Sequence, residues 1–164
     1  MKFARATGLA VIFLVLLCLH FWLRPVLGWR AGIDFLVIAV LLIAVRVRPG
    51  TAALIGCAAG LIADAMVPAS FGAASLAMTL VAGFASWLKS TFFADNLALT
   101  AIFLFAGKLA FDFAFLLLEG RLGGTALLSQ LIIWSTLAGF TTAIAGVITL
   151  LVFRPLLRTA RELA

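Results

Sequence analysis

With 164 residues, 66% of them hydrophobic and 11% charged, the chain is not a soluble domain, because soluble chains carry roughly twice that charged fraction. Its net charge of +6 comes from basic residues at the ends of apolar runs, where they orient helices and meet anionic headgroups rather than nucleic acid. Apolar runs of about 18 residues recur along nearly the whole length, which predicts a polytopic helical membrane protein with no room for an aqueous domain.

Lys2 and Arg5 precede the first apolar run, as in a signal peptide. The run ends at His20-Phe21-Trp22 with no small-residue cleavage site, so it is expected to be kept as the first span, about 6–23. Arg24 and Pro25 end that span, and Trp22 and Trp29 are expected interfacial anchors. The second span is short. Ile33–Val45 supplies about 20 Å of helix against roughly 30 Å of hydrocarbon. Either it begins nearer Leu27, giving a span over 27–45 with Arg30 and Asp34 as an i,i+4 pair, or it is a short helix that thins the bilayer. Arg46, Arg48 and Pro49 close it.

The third span, about 51–67, contains Gly56-Cys-Ala-Ala-Gly60, a small-xxx-small face open to homodimerisation, to a partner helix, or to packing within the bundle. A turn at Pro68–Phe71 leads through Gly72 to a fourth span, about 71–88, with Trp87 and Lys89 at its end. Asp95 and Asn96 lie in the next connection. The fifth span, about 97–118, is Phe-rich and carries Lys108 and Asp112 in its interior. A short loop at Glu119–Gly124 precedes the sixth span, about 127–153, with Trp134 near its start and a basic tail from Arg154.

Six spans put both termini on one side. That side then holds Lys2, Arg5, Arg46, Arg48, Lys89, Arg154, Arg158 and Arg161, against Arg24, Arg30 and Arg121 opposite. The basic bias makes the termini cytoplasmic and places Asp64 in the outer leaflet.

Few residues could carry chemistry. Lys108 and Asp112 lie one helical turn apart and nearly cancel each other's charge. With Asp64 they are expected to share an outer-leaflet polar cluster, read as a register-fixing ion pair, a ligand pocket or a contact for a partner helix. His20, the single histidine, reads as a hydrated interfacial residue. Cys18 and Cys57 sit inside apolar runs and read as packing residues rather than a disulfide or metal pair. The four tryptophans read as belt anchors. No His or Cys is placed beside an acid and no Gly-rich phosphate loop is present, so the expectation is a non-enzymatic protein without cofactor or metal.

Asp34 opens the second span, Arg46-Val47-Arg48-Pro49 closes it, and Gly60-Leu61-Ile62-Ala63-Asp64 is followed by a turn and Gly72. In these elements, and over nearly its whole length, the chain resembles the rod shape-determining protein MreD family. Two features depart from the family pattern: Ile33 stands where Pro often precedes the first acid, and the loop at Glu119–Gly124 is compact. The resemblance implies an all-α membrane protein, a six-transmembrane-helix bundle similar to the substrate-binding (S) subunit fold of energy-coupling-factor transporters. It further implies a subunit of the bacterial elongasome in the inner membrane, one that binds MreC and through it is linked to MreB, to RodA and to its penicillin-binding transpeptidase. Asp64, Lys108, Asp112, Gly56, Gly60, Gly72 and Asp34 are the residues expected to bind a partner or shape the bundle. The alternative is a substrate-binding subunit of a vitamin-type transporter, for which few polar groups are visible beyond Asp64, Asp112, Ser70, Ser75, Gln130 and Trp134. A membrane-embedded enzyme has the least support.

Overall fold

A computed structural model describes residues 2–27, 32–67, 70–92, 97–120 and 128–162, with side chains over 10–23, 32–67, 70–88, 97–120 and 128–153. Among the described residues the chain is helical: α1 (Lys2–Leu27), α2 (Phe35–Ala44), α3 (Pro49–Met66), α4 (Ala73–Phe92), α5 (Leu97–Glu119), a π-type turn (Gln130–Ser135) and α6 (Thr136–Glu162). Three stretches, Pro49–Met66, Leu97–Glu119 and Gln130–Phe153, are long and apolar enough to cross a membrane. The chain is therefore an all-helical membrane protein. Trp29, Arg30, Pro68, Asp95, Asn96 and Arg121 lie outside the described residues.

The helix at the centre is the shortest. Every residue of α2 is buried, and it packs against α1, α3, α4, α5 and α6. Its sequence, Phe-Leu-Val-Ile-Ala-Val-Leu-Leu-Ile-Ala, is apolar on every face, and such a helix is stable only where it is surrounded. The expectation of a span over 27–45 is therefore corrected. Leu27 is the last residue of α1, and α2 begins after Asp34 and runs for 10 residues, about 15 Å. Asp34 stops the helix from starting earlier: its carboxylate accepts from the Val37 N–H at 3.3 Å, as an N-cap. At the other end the Arg46 guanidinium donates to the Leu42 carbonyl at 2.5 Å, where a cation meets the helix C-terminus. The start of α3 has no side-chain cap: Pro49 lacks one of the N–H groups concerned, and Gly50 and Thr51 are exposed.

The exterior reverses the pattern of a soluble protein. Leu54, Leu80, Phe84, Ile102, Ile132 and Phe140 are all exposed, whereas Asp34, Asp64, Lys108, Ser135 and Thr142 are buried. In hydrocarbon this places apolar side chains against lipid and polar groups against each other. Cys18 is exposed on α1 rather than packed inside, Cys57 is half-buried on α3, and both are free.

The small-residue face of α3 is used within the chain. A Cβ at Gly56 would overlap the Met78 carbonyl, and one at Gly60 would overlap the backbone of Ala74 and Ser75. The backbones of α3 and α4 are thus in direct contact, as small-residue helix pairs allow. Of the three readings left open for this face, packing within the bundle is the one observed.

Helix direction alternates along the chain. The C-terminal ends of α1, α3 and α5 meet the starts of α2 and α4 and the π turn around one cavity. Arg46 lies at the opposite end with Ile12, Thr149 and Phe153. There the Ser86 hydroxyl donates to the Val47 carbonyl at 2.7 Å, tying α4 to the α2–α3 corner.

The Gly60 contact is with backbone, which cannot rotate away. Gly60→Val is expected to lower stability by roughly 3 kcal/mol, measured as a fall in the thermal unfolding midpoint in detergent. Gly50→Ala, with no atom within 4 Å of the new methyl, is expected to leave that midpoint unchanged or slightly raised.

Candidate functional site

The polar end of the bundle is built from groups that helix termini leave unsatisfied. The first N–H groups of any helix lack intrahelical partners, and within a bilayer no bulk water replaces them. At the start of α2, the Val37 N–H goes to the Asp34 carboxylate. The Leu36 N–H goes to His20 Nδ1 at 3.3 Å, and the Asp34 N–H goes to the Thr142 hydroxyl oxygen at 3.2 Å. Acceptors from α1 and α6, with the cap itself, thus secure one terminus.

Asp34 also carries charge. Its Oδ2 lies 2.9 Å from Lys108 Nζ, and the same ammonium lies 2.6 Å from Asp112 Oδ1. The expected i,i+4 contact between Lys108 and Asp112 is present, and Asp34 joins it across the bundle. Lys108 also sits 5.0 Å from the centroid of the Phe111 ring, within cation–π range. Ser135, on the π turn, lines the same cavity as Asp112. His20 Nδ1 is 3.4 Å from Asp34 Oδ1, so it accepts from Leu36 when neutral and donates to Asp34 when protonated.

Asp34 bonds Lys108, while Arg30, its expected i,i+4 partner, lies outside the described residues. One expectation is corrected here. His20 is not a hydrated interfacial residue; it is 4% exposed and forms part of the network.

Asp64 shares the cavity with Lys108 and Asp112 as expected, but it is bonded differently. Its two carboxylate oxygens accept from the Ala74 N–H at 3.0 Å and the Ser75 N–H at 2.9 Å, so an acid on α3 caps the start of α4. The reason lies in Gly72. Its φ of +97° favours glycine, and glycine at the cap position has no side chain to offer. Its carbonyl instead accepts from Leu76 N–H and from the Ser75 hydroxyl. Asp64 therefore supplies from the preceding helix what Gly72 lacks, with a negative charge at a helix N-terminus. It lines the same cavity as Lys108 and Asp112, but its carboxylate bonds are to backbone.

That cavity has a volume of about 620 Å³, within the range of small-molecule sites. Asp34, Lys108, Asp112 and Asp64 line its polar side, and Phe115 and Trp134 contribute aromatic surface. Trp134 is thus a cavity wall rather than a belt anchor, whereas Trp22 and Trp87 are exposed at 83% and 68%. The π turn accounts for the placement of Trp134. With i→i+5 bonding, residues four and five apart fall on nearly one face, so Gln130, Trp134 and Ser135 all reach the cavity.

Sequence reasoning missed His20, Ser135 and Thr142. A histidine inside an apolar run was a usable signal for the first. The π turn that aims Ser135 has no sequence signature of comparable strength. Among the described residues, no group of three or more His, Cys, Asp or Glu is placed to hold a metal ion. Comparison with known protein families, with curated proteins and with solved structures finds no match.

Because Asp64 satisfies two buried donors, Asp64→Ala is expected to cost about 2–4 kcal/mol. Asp64→Asn, which keeps one acceptor, is expected to lose roughly half as much. Detergent unfolding of the two variants beside the parent chain gives the comparison, and equal loss from both would argue against capping.

Proposed function

We propose that this chain is a non-enzymatic membrane subunit of the MreD type, working in the bacterial elongasome by binding MreC. Through MreC it is linked to MreB, RodA and the transpeptidase that control peripheral peptidoglycan synthesis and cell shape. In this reading the bundle crosses the inner membrane six times with both termini cytoplasmic, and the cavity faces outward. The alternation of helix directions supports that orientation, since it sets Arg46 at the end opposite the cavity, as the positive-inside rule requires. The similarity to energy-coupling-factor S subunits belongs to the same reading.

The observation that carries the proposal is the role of the two acids in the resembling motifs. Asp34 and Asp64 are both buried helix caps, suited to shaping a binding surface rather than to turning over a substrate. Gly56 and Gly60 are occupied by α4, so a partner helix, or a second copy of this chain, would meet another face. The exposed apolar outer faces of α4 and α6 are available for that contact. Tagged protein expressed in its own organism is expected to co-purify MreC after mild detergent extraction. A stable, monodisperse chain that recovers no MreC would reject the proposal.

A second reading, the substrate-binding subunit of a small-molecule transporter, is favoured by one observation. The cavity gathers His20, Asp34, Lys108 and Ser135 beside the polar groups expected from the sequence, with Phe115 and Trp134 as aromatic wall. Such convergence of a few polar groups on an aromatic surface is what a ligand site requires.

A further inference from the structure

The cavity has a chemical preference of its own, whichever partner the chain binds. Among the described residues that line it, Asp34, Asp64, Asp112 and Glu119 are acids and Lys108 is the one lysine, with His20 beside Asp34; Asp34 and Asp112 both bond that ammonium. Each of Asp34 and Asp64 is further met by a helix N-terminus. Asp112 lies on α5 about two turns before Glu119, the last residue of that helix. It is also the least covered member of the cluster: its side chain is 15% exposed, against 7% for Lys108 and 9% for Asp34. A molecule entering the cavity therefore meets the Asp112 carboxylate before it meets the lysine. Phe115 and Trp134 line the same space, and aromatic faces favour a cation over an anion.

We propose that this cavity binds a small organic cation, an amine whose charged end pairs with Asp112 and whose apolar body lies against Phe115 and Trp134. The volume of about 620 Å³ accommodates such a molecule without moving α2 or α5. The π turn is the second feature that fits a binding role. It departs from regular helix over six residues, and Gln130, Trp134 and Ser135 of those six line the cavity. Local π segments of this kind concentrate at functional sites. An anion is disfavoured, because Lys108 is already bonded to two carboxylates and buried beneath them. This inference deepens the small-molecule reading and is independent of MreC binding.

Three probes of one shape and different charge test it on the full chain in dodecyl maltoside by isothermal titration calorimetry: 2-phenylethylamine, 2-phenylethanol and phenylacetate. The amine is expected to bind one saturable site, with the alcohol and the acid each weaker by about tenfold or more. Asp112→Asn is expected to reduce the amine to the level of the alcohol. Trp134→Ala, which alters no charge, is expected to weaken the amine and the alcohol alike. Equal binding of amine and alcohol, tighter binding of phenylacetate, or no saturable heat with the amine would overturn the proposal, and the comparison on the unmodified chain stands even if a variant fails to fold. Recovery of MreC is read separately, so loss of one result leaves the other intact.

Discussion

The position of α2 depends on one ammonium held between two carboxylates. Apolar burial draws α2 into the centre of the bundle, but it has no direction, and a helix apolar on every face could rotate or slide without much loss. Lys108 removes that freedom. By bonding Asp34 at the start of α2 and Asp112 on its own helix, it fixes the height of α2 relative to α5. Thr142 and His20 then fix the same terminus relative to α6 and α1. Removing either partner of such a buried pair leaves a charge with no solvent to receive it, which is the costly half of ion-pair energetics.

The start of α4 follows the same constraint with different parts. Among the described residues, α2 and α4 both begin buried, each opening with N–H groups that lipid cannot satisfy. At α2 the acid is adjacent in sequence, so Asp34 caps its own helix. At α4 the adjacent position is Gly72, which makes the turn and cannot cap, and Asp64 acts from ten residues upstream. The close approach of α3 and α4 at Gly60 brings that carboxylate within reach. The spacing from Gly60 through Asp64 to Gly72 thus describes one corner: close contact, cap and turn. Both caps point to the same end of the bundle, and the cavity is the space left between them.

Much of this was legible beforehand, and the limits have physical causes. The helical class follows from apolar runs with charges at their ends. The Lys108–Asp112 contact follows from i,i+4 spacing, because helix geometry alone brings those side chains together. Asp34 was visible as the residue opening an apolar run, but not as a partner of Lys108, since 74 residues separate them and no local pattern encodes that distance. The burial of α2 could have been read from its uniform apolarity, which suits the centre of a bundle better than a lipid-facing span. The reassignment of Trp134 could not, because it depends on a π turn that reorients a residue otherwise typical of an interface. Gly56 and Gly60 announced a close helix contact, and only packing could say that α4 makes it.

The coupling between Lys108 and Asp34 is the most direct test of a central helix positioned by a shared ammonium. A double-mutant cycle with Lys108→Met and Asp34→Asn, followed by reversible unfolding in mixed micelles, isolates their interaction from the cost of each substitution. A coupling of about 1–3 kcal/mol is expected, with the double variant more stable than the sum of the single losses would allow. Additivity within about 0.5 kcal/mol would contradict the view that this ion pair holds α2 in place.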